Sequence, residues 1–172
     1  MKNNLGVTIR NAIKPGDMGY LTYLHGKLYA DQYGFDHTFE PYVAIPLAQF
    51  ITSTCSKERI WIVEKDQIIM GSVALVRHTD EQAQLRWLLL KPEIRGLGIG
   101  KKLVEEVIAF SIKCGYSSLF LLTIDILLEA ADLYRSCGFK VTEETKVQVW
   151  GLKVTEQKYE LNLGSYSAGF SG

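Results

Sequence analysis

Three glycines alternate within residues 95–102, RGLGIGKK, directly before a run of residues with helical spacing. Arg95 opens this segment, and Lys101 and Lys102 close it. Glycines leave room for several backbone N–H groups to point at one ligand, and the N-terminus of a helix adds positive potential. The segment therefore predicts a cradle for an anionic group, such as a pyrophosphate, that is bound through the backbone.

The spacing of the glycines weakens two other interpretations. A P-loop has a serine or threonine after its lysine, whereas Lys101 is followed by Lys102 and offers no hydroxyl for magnesium. A dinucleotide-binding loop has the spacing GxGxxG and an acidic residue about 20 positions later. This chain has GxGxG and no acidic residue near position 116. A flexible connection between a strand and a helix stays open as the alternative without a ligand.

Composition and charge narrow the class of protein. The chain has 172 residues, of which 47% are apolar and 22% charged, and its formal net charge is zero. These values are typical of one soluble globular domain, and they do not favour nucleic acid or a membrane as a partner. We expect a single domain over residues 1–172, with its core at about 7–163 and a C-terminal tail that frays.

The cysteines and the N-terminus bear on location. Cys55, Cys114 and Cys137 form no CxxC pair and have no histidine at metal-ligand spacing, so we expect three reduced thiols and no metal site. The first residues contain no apolar segment of signal-peptide length, and no apolar run reaches the ~18 residues of a membrane-spanning helix. The sequence therefore predicts a cytoplasmic protein.

The elements that must position the glycine segment follow from the spacing of apolar residues. We expect strands at GVTIRNAI, RIWIVEKDQIIMGSVALVRH (two strands with a turn at Lys65–Asp66), QAQLRWLLL, SSLFLLTI, Phe139–Glu143 and Gln157–Leu163. We expect helices after Asp17 as N-cap, in EPYVAIPLAQFITSTCS with a break or kink at Pro46, over Ile99–Cys114 before Gly115, and in LLEAADLYRSCGF. The order predicts an α/β fold with a mixed central sheet of about seven strands and about four helices. A helical crossover makes the strands at Leu90 and Ser118 parallel neighbours.

Two motifs and the order of elements resemble one known superfamily. RGLGIG is similar to the Q/R-x-x-G-x-G/A motif of the GNAT superfamily of acetyl-CoA-dependent N-acetyltransferases, and LYRSCGF is similar to its Tyr-x-x-x-Gly-Phe segment. The resemblance covers roughly residues 7–163. More narrowly, GDMGYLTYLHGKLYADQYGFDHTFE resembles the acetyltransferase half of bacterial proteins that fuse a MarR-type DNA-binding region to a GNAT domain. We expect a free-standing version of that half, with no DNA-binding function of its own.

The resemblance implies a binding site for acetyl-CoA as co-substrate. The loop residues that would surround its pyrophosphate are Arg95, Gly96, Leu97, Gly98, Ile99, Gly100 and Lys101. The backbone of Leu88, Leu89 and Leu90 would bind the pantetheine arm in a gap where two parallel strands splay apart, because unpaired strand groups need partners. Asp125 would either cap the helix after Leu127 or contact the cofactor.

The resemblance also implies catalytic roles, some with several candidates. Tyr134 would reprotonate the departing thiolate as general acid, although its ring could equally pack in the core. An N–H group near Leu88 or Leu89 would stabilise the oxyanion. The general base is sought among His25, Asp36, His37 and Glu40, with Glu40 and His25 as the best candidates. The aromatic residues that could line an acceptor pocket, or simply pack, are Tyr20, Tyr23, Tyr29, Tyr33 and Phe35.

The function so implied is transfer of acetyl from acetyl-CoA to a primary amine of a small molecule or peptide. The alternative is a catalytically silent module that binds acyl-CoA as a sensor or scaffold. The sequence does not name the acceptor, and it leaves a homodimer open.

Overall fold

The computed structural model describes residues 6–167 and contains one seven-stranded sheet with helices on both faces. The strands are β1 (Val7–Arg10), β2 (Arg59–Lys65), β3 (Ile68–Arg77), β4 (Gln82–Leu90), β5 (Ser118–Ile124), β6 (Lys140–Val149) and β7 (Leu152–Asn162). The α-helices are α1 (Asp17–Tyr33), α2 (Phe39–Thr52), α3 (Ile99–Lys113), α4 (Leu128–Ser136) and α5 (Leu163–Ser167). A short 3₁₀ turn, Pro92–Ile94, lies between β4 and α3. The predicted mixed α/β fold is confirmed.

The strand order is β1-β2-β3-β4-β5-β7-β6, and β4 and β5 are the one parallel pair within the described residues. They pair only at Gln82 with Ser118, Ala83 with Leu119 and Gln84 with Phe120. Both strands continue for several residues beyond these pairs without pairing with each other. The sheet therefore opens into a wedge between the second halves of β4 and β5, as expected for a splayed parallel pair.

Two apolar cores hold the layers together, one on each face of the sheet. Helix α3 contributes the stripe that its spacing predicts, with Leu103, Val104 and Val107 fully buried in the core that also contains α4 residues. Helices α1 and α2 cover the opposite face with a second core, which includes Leu21 and Leu47. Between these two cores, the sheet is open along the wedge.

A β-bulge in β4 changes which side chains face which core. Ser72 and Ala74 of β3 pair with Leu89 and Arg86, so β4 carries one residue more than β3 across this interval. The extra residue is Trp87, with φ at 52°, and the buried Ser72 hydroxyl donates a 2.8 Å hydrogen bond to its carbonyl oxygen. Positive φ is strained for a bulky residue, so the surroundings must hold it.

The bulge reverses the alternation of β4. Leu85 and then Leu88 belong to the core on the α3 face, whereas Trp87 belongs to the core on the α1–α2 face. Strict alternation from Leu85 would instead place Trp87 on the α3 face. Arg86 and Trp87 therefore both face α1 and α2, and the guanidinium carbon of Arg86 lies 5.1 Å from the Trp87 ring centroid.

Several predicted boundaries were wrong. The closing strands are longer than predicted and form a hairpin. The pattern of apolar residues did not indicate their full length, because the residues of β6 are mostly exposed. The predicted tail begins as the helix α5, and residues 168–172 lie outside the described part of the chain. Helix α2 continues through Pro46.

Asp17 does not cap α1, which begins after Gly16 without a side-chain cap. Its carboxylate forms an ion pair with Arg10 instead, at 2.7 Å, and accepts a hydrogen bond from the Lys14 amide. Burial would raise the pKa of Asp17, but these hydrogen bonds lower it below its ordinary value. The pair therefore joins β1 to the start of α1 and stays charged at neutral pH.

Candidate active site

The glycine segment forms a tight loop at the N-terminus of α3. Gly96 and Gly98 have φ values of 70° and 77°, in the left-handed region that other residues rarely adopt. Gly98 is the residue before the helix, and no side chain among residues 6–167 caps it. The first helical amides therefore have no intrahelical acceptor and point out of the loop, as an anion site requires.

The other predicted loop residues divide into three kinds. A Cβ at Gly100 would lie 3.2 Å from Leu133 Cδ2 and 3.4 Å from Leu90 Cδ1, so this glycine also allows the start of α3 to pack closely. Ile99 is buried in the core, and the side chain of Leu97 is 46% exposed. Ile99 can therefore offer a ligand only its backbone, whereas the side chain of Leu97 is also accessible.

The basic residues of the loop differ in how firmly they are held. Arg95 donates from Nε to the Leu90 carbonyl oxygen at 2.8 Å and from Nη2 to Gln32 Oε1 at 3.0 Å, so its position is fixed against β4 and α1. Lys101 is exposed, and within residues 6–167 its one ion-pair contact is with Glu105, at 4.0 Å. Arg95 can therefore orient one end of an anion, whereas Lys101 supplies mobile charge.

A cleft of about 320 Å³, which we call the glycine-loop cleft, opens in front of this loop. Its lining residues are Tyr29, Tyr33, Leu88, Leu89, Leu90, Arg95, Gly96, Gly98, Gly100, Lys101, Leu127, Glu129, Ala130 and Leu133. The three predicted leucines of β4 thus lie at one cleft with five of the predicted loop glycines and bases, which are Gly96, Gly98, Gly100, Arg95 and Lys101.

A second space, the inner cavity, lies deeper, where β4 and β5 diverge. Its lining residues are His25, Tyr29, Phe35, Phe39, Tyr42, Val43, Gln84, Leu85, Arg86, Trp87, Leu88, Leu121, Leu122, Thr123, Ile124, Leu127, Ala130, Tyr134, Trp150 and Glu156. It shares Tyr29, Leu88, Leu127 and Ala130 with the glycine-loop cleft. The two spaces are therefore neighbours along the wedge of the sheet.

Tyr134 lines the inner cavity from α4. Its ring packs in the core against Phe139 and Tyr159, at centroid distances of 6.1 Å and 6.0 Å, so the packing interpretation also holds. Burial raises the pKa of Tyr134, and the neighbouring Tyr29 raises it further. The hydroxyl is therefore protonated throughout the physiological pH range, and a basic limb from an ordinary phenol is not expected.

The two candidate bases occupy very different places. His25 is 3% exposed and lines the inner cavity, with Nδ1 2.7 Å from the Leu21 carbonyl oxygen. A carbonyl only accepts, so Nδ1 carries the proton, and the buried Nε2 has no partner among residues 6–167. Burial lowers the pKa of His25 to about 4, which makes it a weak base at neutral pH.

Glu40 is exposed and lines neither space; its stem packs against Gly26 of α1. Asp125 also lies away from both spaces. Its Oδ1 accepts a hydrogen bond from the Thr155 amide at 3.1 Å, and α4 has no side-chain cap, so the predicted capping role was wrong. The expected contact of Asp125 with the cofactor receives no support from this position.

Of the aromatic candidates for an acceptor pocket, some line the two spaces and others do not. Tyr29 and Phe35 line the inner cavity and Tyr33 the glycine-loop cleft, whereas Tyr20 binds Lys91 Nζ through its hydroxyl and Tyr23 is exposed. Of the remaining candidates for the base, Asp36 accepts hydrogen bonds from Thr38, and neither Asp36 nor His37 lines the two spaces.

Sequence reasoning missed two charged residues of the inner cavity, Arg86 and Glu156. Arg86 did not stand out because it lies in a strand whose side chains alternate between faces. Glu156 did not stand out because its hairpin strand contains several other charged residues. The bulge at Trp87 leaves no signal in the sequence. Burial lowers the pKa of Arg86, which lies over the rings of Tyr42 and Trp87.

The site residues fit acetyl-CoA. Free amides at Gly98 and the start of α3 suit a pyrophosphate, and the unpaired backbone along the wedge suits the amides of a pantetheine arm. Within residues 6–167, no group of three or more potential ligands could hold a metal ion. Each helix in this part of the chain is too short or too polar to cross a bilayer.

Comparison with known proteins agrees with the geometry. The family model described as Acetyltransferase (GNAT) domain matches residues 56–141. An uncharacterized N-acetyltransferase of Schizosaccharomyces pombe is 38% identical over 118 residues, which cover 67% of this chain and 72% of that protein. Human N-acetyltransferase 8B is 37% identical over 95 residues, 52% of this chain, and the match spans only 42% of the human protein.

A solved structure agrees on the fold. The acetyltransferase of Streptococcus agalactiae superposes with a TM-score of 0.75 at 21% identity, covering 91% of this chain and 98% of the other. The family model, the yeast relative and the splayed sheet with its glycine loop are thus consistent, and the predicted superfamily is confirmed. The chain belongs to the GNAT family of acetyl-CoA-dependent N-acetyltransferases.

Proposed function

We propose that this protein transfers acetyl from acetyl-CoA directly to the primary amine of a small molecule or peptide. The carrying observation is that the glycine-loop cleft and the inner cavity meet along the wedge between β4 and β5, with Tyr134 lining the inner space. Acetyl-CoA supplies the acetyl thioester when bound. Its pyrophosphate end belongs at Gly96 and Gly98, and the amine belongs in the inner cavity.

The backbone of β4 holds and polarises the thioester in this proposal. The bulge at Trp87 turns the backbone just before Leu88 and Leu89, where the unpaired edge of β4 faces the wedge. An N–H group there donates to the acetyl oxygen as negative charge develops on it, which is a large term in acyl transfer. Ser72 supports this donor by fixing the carbonyl of Trp87.

Glu156 is the better candidate for the group that receives the amine proton. It is half-buried and is the one carboxylate among the described residues that line the inner cavity. Alkyl ammonium groups have pKa values near 10, so a proton acceptor, directly or through water, is needed before attack. His25 is neutral but nearly inaccessible, and Glu40 is outside the cavity.

Tyr134 gives its proton to the sulfur as the C–S bond breaks and the C–N bond forms. The nitrogen sheds two protons in all. One leaves to solvent through Glu156, and the other replaces the proton that Tyr134 donated, so the products are an amide and a free thiol. The raised pKa of Tyr134 keeps the hydroxyl loaded with its proton before each turnover.

The test is thiol release from acetyl-CoA in the presence of a panel of primary amines, run beside thermal unfolding. Acetyl-CoA at 100 times its dissociation constant should stabilise the fold by about 2.7 kcal/mol, and NADH and ATP should stabilise it much less. Thermal stabilisation without amine-dependent thiol release would favour the alternative, a silent acyl-CoA-binding module. A larger shift with NADH would contradict the acetyl-CoA site.

Finer points of the sequence analysis stay predictions. These are the likeness to the acetyltransferase half of MarR-type fusion proteins, the single-domain organisation, the cytoplasmic location and a homodimer. The test of the homodimer is the molar mass in solution, measured with and without acetyl-CoA.

A further inference from the structure

The guanidinium of Arg86 lines the inner cavity. Its carbon lies 5.1 Å from the centroid of Trp87 and 6.0 Å from that of Tyr42, so the group lies near two aromatic rings. Among residues 6–167 it has no carboxylate within ion-pair distance and no hydrogen-bond partner. Arg95, the other arginine among the described residues that line the two spaces, donates to Leu90 and Gln32.

An arginine in this position is costly unless something binds it. Arg86 is half-buried, and the two rings replace only in part the hydration that its guanidinium loses there. Its donors form a planar fork whose geometry matches a carboxylate, with two parallel N–H···O bonds. The bulge at Trp87 adds to this placement, because it puts Arg86 and Trp87 on the same face of β4.

The inner cavity also contains the complementary charge. Glu156 lines it from β7. Burial raises the pKa of the Tyr42 hydroxyl, and both charges also act on it, since Arg86 lowers this pKa and Glu156 raises it. The walls between them are aromatic, with Phe35, Phe39 and Trp150. One cation, one carboxylate and apolar walls match a zwitterion with an apolar side chain.

We propose that the acceptor is an amino acid with an apolar side chain, whose carboxylate is bound by Arg86 while its amine lies toward Glu156. This inference rests on the proposed function and narrows its substrate class. Arg86 acts here on specificity and not on the reacting atoms. A polyamine fits poorly, because it would bring further positive charge to Arg86 and offer it no oxygen acceptor.

Matched pairs of compounds test this inference without requiring turnover. N-Acetyl-leucine and N-acetyl-3-methylbutylamine differ only in the carboxylate, as do N-acetyl-phenylalanine and N-acetyl-phenethylamine. We expect wild-type protein with coenzyme A to bind the carboxylated member at least roughly 30-fold tighter by calorimetry, the lower end of what loss of a desolvated charge pair costs. Arg86→Gln should remove most of that preference and leave binding of the neutral member within about threefold.

Arg59→Gln is the matched control. Arg59 also lies over aromatic rings, Trp61 and Phe110, but it is exposed and lines neither space. This variant should keep the full preference for the carboxylated compounds. Arg86→Lys, which keeps the charge but not the fork, should recover only part of it.

Turnover of the parent amines separates the two proposals. Leucine and phenylalanine should show higher kcat/KM than 3-methylbutylamine and phenethylamine, and Arg86→Gln should reverse or abolish that order. Arg86-dependent binding without turnover of any amine would overturn the proposed function and keep the carboxylate site. Equal binding of both members of each pair to wild-type protein, or equal loss of both in Arg86→Gln, would overturn the inference.

Discussion

The glycine-loop cleft and the inner cavity are neighbours that are built by different means. The cleft uses mainly backbone from one stretch of chain, the end of β4 through the start of α3, and its special residues are those that lack a side chain. The inner cavity uses side chains from α1, α2, β4, β5, α4, β7 and Trp150 of the hairpin turn. We therefore expect the cleft to be sensitive to any added atom, and the cavity to respond to chemical identity.

Adding a side chain to the loop should have the largest effect. Gly98→Asp places a carboxylate at the first free amides of α3, where like charge and bulk oppose a pyrophosphate. Affinity for acetyl-CoA, measured by calorimetry, should fall at least about 100-fold, while the circular dichroism spectrum stays that of a folded protein. A folded variant with wild-type affinity would show that the loop does not hold the cofactor.

Gly115→Asp provides the matched control at the opposite end of α3. Gly115 has a similar backbone, φ at 82°, and open space where a side chain would begin, but it lines neither space of the site. This variant carries the same strain and the same added charge, so its affinity for acetyl-CoA should stay within about threefold of wild type.

The inner cavity should affect how the stability of the protein depends on pH, through His25. Unfolded His25 gains a proton as the pH falls through its ordinary pKa near 6.5, whereas folded His25 stays neutral until about 4. Acid therefore favours the unfolded state, and the free energy of unfolding falls as the pH decreases from about 6.5 to about 4. At pH 5 the loss is about 2 kcal/mol in the free energy of unfolding, measured with urea against the value at pH 7.

The variant His25→Asn tests whether this pH dependence of stability comes from His25. Asparagine keeps an N–H donor for the Leu21 carbonyl oxygen but does not titrate, so the variant should be less stable at pH 7 and lose about 2 kcal/mol less than wild type on going to pH 5. Identical pH dependence of the two proteins would mean that His25 is hydrated or charged in the folded state.

The next effect is on the rate of reaction. Tyr134→Phe keeps the ring against Phe139 and Tyr159 and removes only the hydroxyl, so kcat should fall at least about tenfold while the KM for acetyl-CoA changes little. Because burial raises the pKa of Tyr134, the basic limb of the pH–rate profile should be the same in both proteins below pH ~10. Wild-type kcat at saturating amine would rule out the acid role.

The smallest effect concerns the boundary between the two spaces. Ser72→Ala removes the hydrogen bond to the strained Trp87 and leaves a buried carbonyl oxygen without it, which should lower the free energy of unfolding by about 1 kcal/mol. Both acetyl-CoA affinity and discrimination at Arg86 should weaken together, by a few fold. A change in one of them alone would show that the bulge serves only one space.

The contrast between the spaces also explains what could be predicted from sequence. The glycine loop, the stripe of α3 and the leucines of β4 follow from local spacing, because each depends on neighbours within a few residues. Arg86 and Trp87 share a face only because of a bulge paired with Ser72, fifteen positions earlier in the chain. Glu156 reaches the cavity through a hairpin whose exposed partner strand has no apolar pattern.

The three residue pairs that join β4 to β5 have a mechanical consequence. They are the sole ladder between a four-stranded plate, β1 to β4, and a three-stranded plate, β5, β7 and β6, so the described sheet is hinged at one corner. In the proposed function, co-substrate and acceptor both enter the wedge, so each would experience the opening angle that the other sets. Thermodynamic linkage makes this coupling reciprocal. An acceptor that raises the affinity for acetyl-CoA must itself be bound more tightly, by the same factor, when acetyl-CoA is present.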